Sequence, residues 1–330
     1  MDLRSRLLEW MRGGQGNFAA LALEVFHYQF EKNIPYRNYC GALGKTPENT
    51  ASWLEIPALP TDVFKLPGAA LRGFPKSEVC GHFLTSGTTS ETKGKHEFRD
   101  LDLYQASVLG TWRELGLPAL DQPWFFSQRA EDAPHSSLVR MFEILNNNGG
   151  WLIGADGRIA KQKFSPAGAT AVLGTSIALL RACDEMEPTR LAEGSWIFET
   201  GGSKGLRESF TPAEVRTRLS AHFGVPESLI LNEYGMTELF SQFYKWGDGQ
   251  THKGPPWTAI RIRDVRTGEI AKAGEAGYLE IVDLANLDTV MAIRTQDLAI
   301  ATGDREFILI GRDPAAVARG CSRGVDAAIS

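Results

Sequence analysis

Between Phe83 and His96 the chain reads Phe-Leu-Thr-Ser-Gly-Thr-Thr-Ser-Glu-Thr-Lys-Gly-Lys-His. This stretch offers almost nothing that could pack a core. Its small residues let backbone N–H groups approach an anion, its hydroxyls add donors, and its lysines add charge. Thr85, Ser86, Gly87, Thr88 and Thr89 are therefore candidates for a phosphate cradle. Lys93 is the candidate catalytic cation, and His96 is placed to face the same phosphates. No Gly-Lys-Ser/Thr follows Gly87 at P-loop spacing, so the stretch is not that motif. Standing alone, it also fits a polar surface loop.

A second group lies far downstream. Asn232-Glu-Tyr-Gly-Met-Thr-Glu238 follows the apolar run Leu229-Ile-Leu231. That order puts it at the carboxyl end of a strand, where open α/β sheets bind ligands. Tyr234 and Gly235 offer an aromatic face beside open backbone, suited to a flat base. Thr237 can donate to a phosphate, and Glu238 can hold Mg²⁺, a hard cation that takes carboxylate and phosphate oxygens. Gly201-Gly-Ser-Lys-Gly205 fits G-x-S-x-G, so a serine hydrolase using Ser203 is an alternative. Against it, the next clear helix start is Thr211-Pro212, several residues late for a nucleophile elbow. Its downstream partners would have to be Asp248 and His252.

The elements that must position these residues follow from periodicity. Leu3–Met11, Phe18–Phe30, Leu101–Leu115, Ser136–Leu145 and Ile177–Met186 read as helices, and Thr211-Pro212 starts another. Trp124–Phe126, Ala169–Val172 and Trp196–Phe198 read as short buried strands, giving an α/β class with a largely parallel sheet. From Thr258 onward, Ile260-Arg-Ile-Arg263 and Tyr278-Leu-Glu-Ile-Val282 alternate with period two, as antiparallel strands do. The expected division is an α/β core over residues 1–250, a β-rich subdomain over 251–312 and a tail over 313–330.

Composition sets outer bounds. The chain has 330 residues, 43% hydrophobic and 23% charged, with a net charge of -5. That is a globular composition, and mixed charge without a Lys/Arg run argues against a nucleic-acid surface. Cys40, Cys80, Cys183 and Cys321 are widely spaced, without CxxC or zinc spacing. Scattered thiols suit a reducing cytoplasm, and no apolar run is long enough to span a bilayer.

Taken in order, Thr85–Thr89, Asn232–Glu238, Arg294-Thr-Gln-Asp297 and Gly311-Arg312 resemble the adenylate-forming, acyl-activating enzymes. Tyr28-Gln29, Pro35-Tyr36, Phe64-Lys65, Lys95-His96 and the ending around Cys321 sharpen this. With the Ser/Thr stretch, they resemble the acyl-protein synthetases, the long-chain-fatty-acid–protein ligases of the bacterial bioluminescence fatty-acid reductase complex and their relatives.

The resemblance implies a large N-terminal domain, with sheets flanked by helices plus a small β subdomain. The chain ends 18 residues after Arg312, so the usual C-terminal lysine-bearing domain is expected to be lacking. It implies ATP and Mg²⁺ as cofactors. A carboxylic acid, fatty in that family, would be activated as acyl-AMP and passed to a thiol, with Cys321 as the catalytic acceptor. The alternative acceptors are coenzyme A, a carrier protein or an amine. A reductase or acyl-transferase subunit is an implied partner, and a non-catalytic nucleotide-binding scaffold is a further alternative.

The implied nucleotide set is Thr85–Thr89, Gly201, Gly202, Ser203, Asn232, Tyr234, Gly235, Met236, Thr237, Asp297 and Arg312. His135 is implied at the acyl pocket. Thr302-Gly-Asp304 spells the family's ribose motif literally, whereas Arg294-Thr-Gln-Asp297 has Gln for Gly. In the family two strands separate this Asp from the Gly-Arg hinge. Asp297 precedes Gly311 by 14 residues and Asp304 by only 7, which is too short for two strands and a turn. Asp297 is therefore the expected ribose ligand, and Thr302–Asp304 a hairpin turn.

Overall fold

The computed structural model describes residues 1–85, 93–201 and 210–313. Among the described residues there are seven α-helices, six of which start where the sequence supplies a side-chain cap. They are α1 (Leu3–Met11), α2 (Phe18–Lys32), α3 (Ile34–Ala42), α4 (Asp102–Glu114), α5 (Ser137–Leu145), α6 (Ser176–Glu185) and α7 (Pro212–Phe223). Asp2, Asn17, Asn33, Ser136, Thr175 and Thr211 each accept a first-turn N–H at their helix starts. At α7, Thr211 and Glu214 form a reciprocal capping box, and Gly224 ends the helix at φ 67°. Helix α3 was not expected. Its signal is Asn33 as cap with Pro35 in the first turn.

The strands in chain order are β1 (Leu59–Pro60), β2 (Gly81–Leu84), β3 (Lys95–Phe98), β4 (Trp124–Phe126), β5 (Gly150–Trp151), β6 (Ala171–Thr175) and β7 (Trp196–Thr200). They continue with β8 (Ile230–Tyr234), β9 (Phe243–Trp246), β10 (Thr251–Lys253), β11 (Thr258–Arg263), β12 (Gly277–Asp283), β13 (Ala292–Gly303) and β14 (Glu306–Arg312).

The described chain divides into two compact units. One contains residues 1–115, 236–241 and 253 onward, and the other residues 116–235 and 242–252. This differs from the division expected at residue 250. The N-terminal helices share a unit with the late β strands, because buried polar side chains join them. Gln29 donates from Nε2 to the carbonyls of Asn286 and Leu287, and Asn33 donates to that of Thr289.

In the second unit the strand order is β9-β8-β7-β6-β4-β5, parallel from β8 to β5, with β9 antiparallel. Its core joins Val172, Ile197 and Ile230 of the sheet to Leu179 of α6 and Leu219 and Phe223 of α7. In the first unit β11-β12-β13-β14 is an antiparallel meander, and β1 adds to β13 in parallel. Strands β2 and β3 form a separate antiparallel pair.

The period-two face of β11 does not meet solvent. Arg261 is 3% exposed, binds Glu280 in register on β12, and donates to the carbonyls of Trp53, Leu54 and Ile56. Among the described residues no helix is long and apolar enough to cross a membrane.

Candidate active site

In the first unit the antiparallel pair β2–β3 carries the Ser/Thr-rich stretch at its open end. Thr85 closes the pair, its N–H donating to the Gly94 carbonyl at 2.9 Å while its Oγ1 accepts from the Gly94 N–H at 2.8 Å. A Cβ on Gly94 would lie 2.8 Å from Thr85 Cγ2, so the close approach needs glycine here. Lys93 is exposed just beyond. Ser86, Gly87, Thr88 and Thr89 lie outside the described residues. His96 does not face the phosphate stretch as expected. It is buried, with both ring nitrogens within hydrogen-bond distance of Thr237 and Thr289.

Thr237 and Glu238 belong to this unit. The Thr237 hydroxyl donates to the Leu84 carbonyl at 3.3 Å, tying the segment to the last residue of β2. Glu238 is 6% exposed, and its main-chain carbonyl accepts from Asn286 at 2.7 Å. Burial pushes its carboxyl up to about 7, Asp62 adds to the shift, and Lys65 and Arg312 oppose it. Among the described residues Glu238 enters no ion pair. A desolvated carboxylate without a fixed counter-cation suits a divalent ion. Mg²⁺ typically takes one or two carboxylates and completes its shell with phosphate and water oxygens.

Asp297 lies on β13 directly opposite Arg312 on β14. The β13–β14 pair is thus the two-stranded device separating the motif Asp from Gly311-Arg312, and the Asp itself sits inside its first strand. Asp304 sits in the turn at the other end, where its carbonyl accepts from Ile260 N at 2.7 Å. Gln296 links the neighbourhood. Its amide donates to Asp62, its Oε1 accepts from Arg312 Nε at 3.2 Å, and Lys65 bonds Asp62 at 3.3 Å. A cavity of about 230 Å³ opens beside it, lined by Asp62, Tyr278, Arg294 and Gln296.

In the second unit the carboxyl ends of β7 and β8 carry polar side chains. Asn232, Glu233 and Tyr234 form the last three residues of β8, at the carboxyl end of the strand. Register pairs Glu199 with Asn232 and Thr200 with Glu233. Because side chains alternate, the two pairs lie on opposite faces.

On one face Asn232 Nδ2 donates to Glu199, Asn232 Oδ1 accepts from His252 Nε2 at 2.7 Å, and Ser176 donates to Glu199 at 2.6 Å. On the other, Thr200 donates to Glu233, whose carboxyl burial pushes up to about 7. A Cβ on Gly235 would lie 2.0 Å from Glu233 Oε1, so a larger residue there would have to displace that carboxylate.

The Tyr234 ring is 9% exposed, with Phe243 and His252 edge-on at 6.4 and 6.0 Å, so little of its face is open. Gly201 follows β7 at φ 77°, and Met236 opens the segment that enters the first unit. Gly202 and Ser203 lie outside the described residues. His135 is exposed and does not cap α5, because Ser136 does.

Sequence reasoning passed over Glu199 and Glu233. Their signal was a carboxylate at the same place in two apolar strands, Trp-Ile-Phe-Glu-Thr and Ile-Leu-Asn-Glu-Tyr. A charge in a buried strand needs partners.

No protein-family model matches the chain, and no curated protein matches it. Solved structures do. An open conformation of 2-hydroxyisobutyryl-CoA ligase in complex with 2-HIB-AMP and CoA is 15% identical over 88% of this chain and 73% of its own, with a TM-score of 0.64. The same ligase in its thioesterification state is 15% identical over 93% and 68%, at 0.61. An ATP-bound RpMatB-BxBclM chimera is 18% identical over 71% and 48%, at 0.51. The chain thus spans about half the length of that chimera. This chain shares its mixed α/β fold with these ligases.

Proposed function

We propose that this chain activates a carboxylic acid with ATP. A carboxylate oxygen attacks the α-phosphorus, an acyl-O–P bond forms, the bond to the β-phosphate oxygen breaks, and pyrophosphate leaves. The observation that carries this reading is the Asp297–Arg312 pairing across β13–β14, next to Glu238, Asp62 and Lys65 in one unit. The shared fold with ligases solved with 2-HIB-AMP or ATP supports it.

In this reading Asp297 accepts hydrogen bonds from the ribose hydroxyls. The Gly201 and Tyr234–Gly235 backbone, with Gly202, Ser203, Asn232 and Met236, borders the base. Thr85–Thr89 and Thr237 donate to the phosphates, and Lys93 adds charge to them. Glu238 would hold Mg²⁺, which supplies charge neutralisation on the departing pyrophosphate. His135 remains the candidate for the acyl pocket.

ATP/pyrophosphate exchange that requires both a carboxylic acid and Mg²⁺ is the expected result. Its absence across short, long-chain and aryl acids would leave a nucleotide-binding scaffold as the better account. ATP-independent ester hydrolysis lost in Ser203→Ala would favour a hydrolase.

The second step is transfer to a thiol, in keeping with the acyl-protein synthetase resemblance. Cys321 lies outside the described residues, and Arg319 and Arg323 flank it in sequence, a setting that favours thiolate. Burial pushes the thiols of Cys40 and Cys183 up to about 12, which leaves both unreactive. Coenzyme A is the second reading, favoured by its presence in the 2-hydroxyisobutyryl-CoA ligase structures.

Incubation with ATP and the accepted acid is expected to add one acyl mass, released by neutral hydroxylamine and absent in Cys321→Ser. The exposed Cys80 is the control, and Cys80→Ser should keep the adduct. Acyl-AMP that accumulates until coenzyme A is added, with no adduct, would favour the second reading.

A further inference from the structure

Four segments of the first unit meet at one imidazole. His96, on β3, is 1% exposed. Its Nδ1 lies 2.7 Å from the Thr237 carbonyl oxygen, and its Nε2 lies 3.0 Å from the Thr289 hydroxyl. Its ring stacks on Phe240 at 4.8 Å between centroids with an interplanar angle of 20°, and Phe64 meets it at 5.7 Å. Each partner reports on a different part of the candidate site. Thr237 precedes Glu238, and Phe64 belongs to the 3-10 turn Thr61–Lys65 that carries Asp62 and Lys65. Strand β3 itself is the chain's way out of the Ser/Thr-rich stretch.

The protonation state follows from the partners. A carbonyl oxygen only accepts, so Nδ1 must carry hydrogen. Burial pushes the ring's pKa down to about 4, so near neutrality the ring is uncharged. An uncharged ring with hydrogen on Nδ1 has a bare Nε2, which can accept from the Thr289 hydroxyl. Of the uncharged forms of the ring only this tautomer satisfies both hydrogen bonds; the imidazolium would satisfy both as well, and burial disfavours it. Phe240 is held independently, its N–H donating to Asp283 and Asn286 at 3.0 Å each. The ring therefore rests on a fixed surface.

We propose that His96 is a positioning residue, which through its Nδ1–H tautomer holds Thr237 and Glu238 in register with the exit of the Ser/Thr-rich stretch and with the Asp62–Lys65 turn. It touches no reacting atom. For its kinetic consequence the inference rests on the ATP-dependent reading above, whereas the tautomer is tested without it.

Imidazole ¹⁵N spectra of the wild-type protein should show Nδ1 protonated and Nε2 bare from pH 8 to pH 5. Hydrogen on Nε2, or protonation of the ring near pH 6.5, would overturn the proposal whatever the enzyme does. Two substitutions then separate hydrogen bonding from packing. His96→Asn keeps an N–H near the place of Nδ1 but loses the ring, and His96→Phe keeps the ring on Phe240 but loses both hydrogen bonds. Exchange in the Asn variant should stay within about tenfold of wild type. In the Phe variant kcat should fall about 10²-fold, the scale of a small misplacement of catalytic groups, with the KM for ATP moving less.

Phe retaining more activity than Asn would show that the ring only fills space. Thr289→Val, close to isosteric, covers a Phe variant that does not fold. It should perturb the Nε2 signal and slow exchange about tenfold, the scale of one hydrogen bond. Unchanged signal and rate would overturn the proposal. Wild-type protein without exchange on any acid would defeat the proposed function, and the spectra would still decide the tautomer.

Discussion

Glu238→Gln is expected to lower acid-dependent ATP turnover by about 10² or more, the scale of removing one preorganised electrostatic contact. The fold should survive, and the reason is visible in the energetics of the site. Burial pushes the Glu238 carboxyl up to about 7 from its ordinary 4.5. The folded protein therefore binds this proton more tightly than the unfolded chain does. The stability that the group contributes is complete below about pH 4.5 and is lost as pH rises to about 7, about 3 kcal/mol in all.

A glutamine carries no such loss. In chelator at pH 8, the variant should match or exceed wild type in its urea midpoint, and the difference should shrink toward pH 5. Mg²⁺ should raise the midpoint of wild type and leave the variant unmoved. A variant that turns over normally, or that responds to Mg²⁺ as wild type does, would remove Glu238 from the site.

Asp297→Ala should raise the KM for ATP by about 10- to 100-fold, the equivalent of about 1.5–3 kcal/mol for a lost charge-assisted hydrogen bond. Asp304→Ala should leave that constant nearly unchanged and lower the melting temperature slightly. The contrast rests on where the two residues sit on one hairpin. Asp297 faces Arg312 at the far end, whereas Asp304 makes the turn and gives its carbonyl to Ile260. Its side chain adds little that alanine would lose. The reverse pattern, with ATP binding weakened only in Asp304→Ala, would assign the ribose to the literal Thr-Gly-Asp.

Much of this was legible because it is local. Periodicity and caps are short-range chemistry, so apolar spacing placed α1 at Leu3–Met11 and Thr211-Pro212 marked the start of α7. The distance from Asp297 to Gly311 forced a hairpin between them, and the hairpin is there. What could not be read depends on contacts far apart in sequence. Gln29 reaches Asn286, so the N-terminal helices pack with the late strands, although texture alone suggested a cut at residue 250.

His96 looked like a phosphate ligand because it follows two lysines, yet its partners are 141 and 193 residues away. Glu199 and Glu233 were hidden for the opposite reason. Each is an ordinary residue until β7 and β8 pair and desolvate it.

Gln296 stands where the resemblance leads one to expect glycine. Its amide is a neutral relay, taking Arg312 on its oxygen and giving its N–H to Asp62. Resting on an amide oxygen, Arg312 has a neutral acceptor in Gln296. It is also held by solvent-exposed hydrogen bonds rather than by a buried ion pair. The contact is solvent-exposed, so Arg312 rests on Gln296 without being buried. A glycine would remove this acceptor, and a glutamate would replace it with a charged one. The side chain at position 296 thus links Arg312 to Asp62 and the Thr61–Lys65 turn, a contact that a glycine could not make.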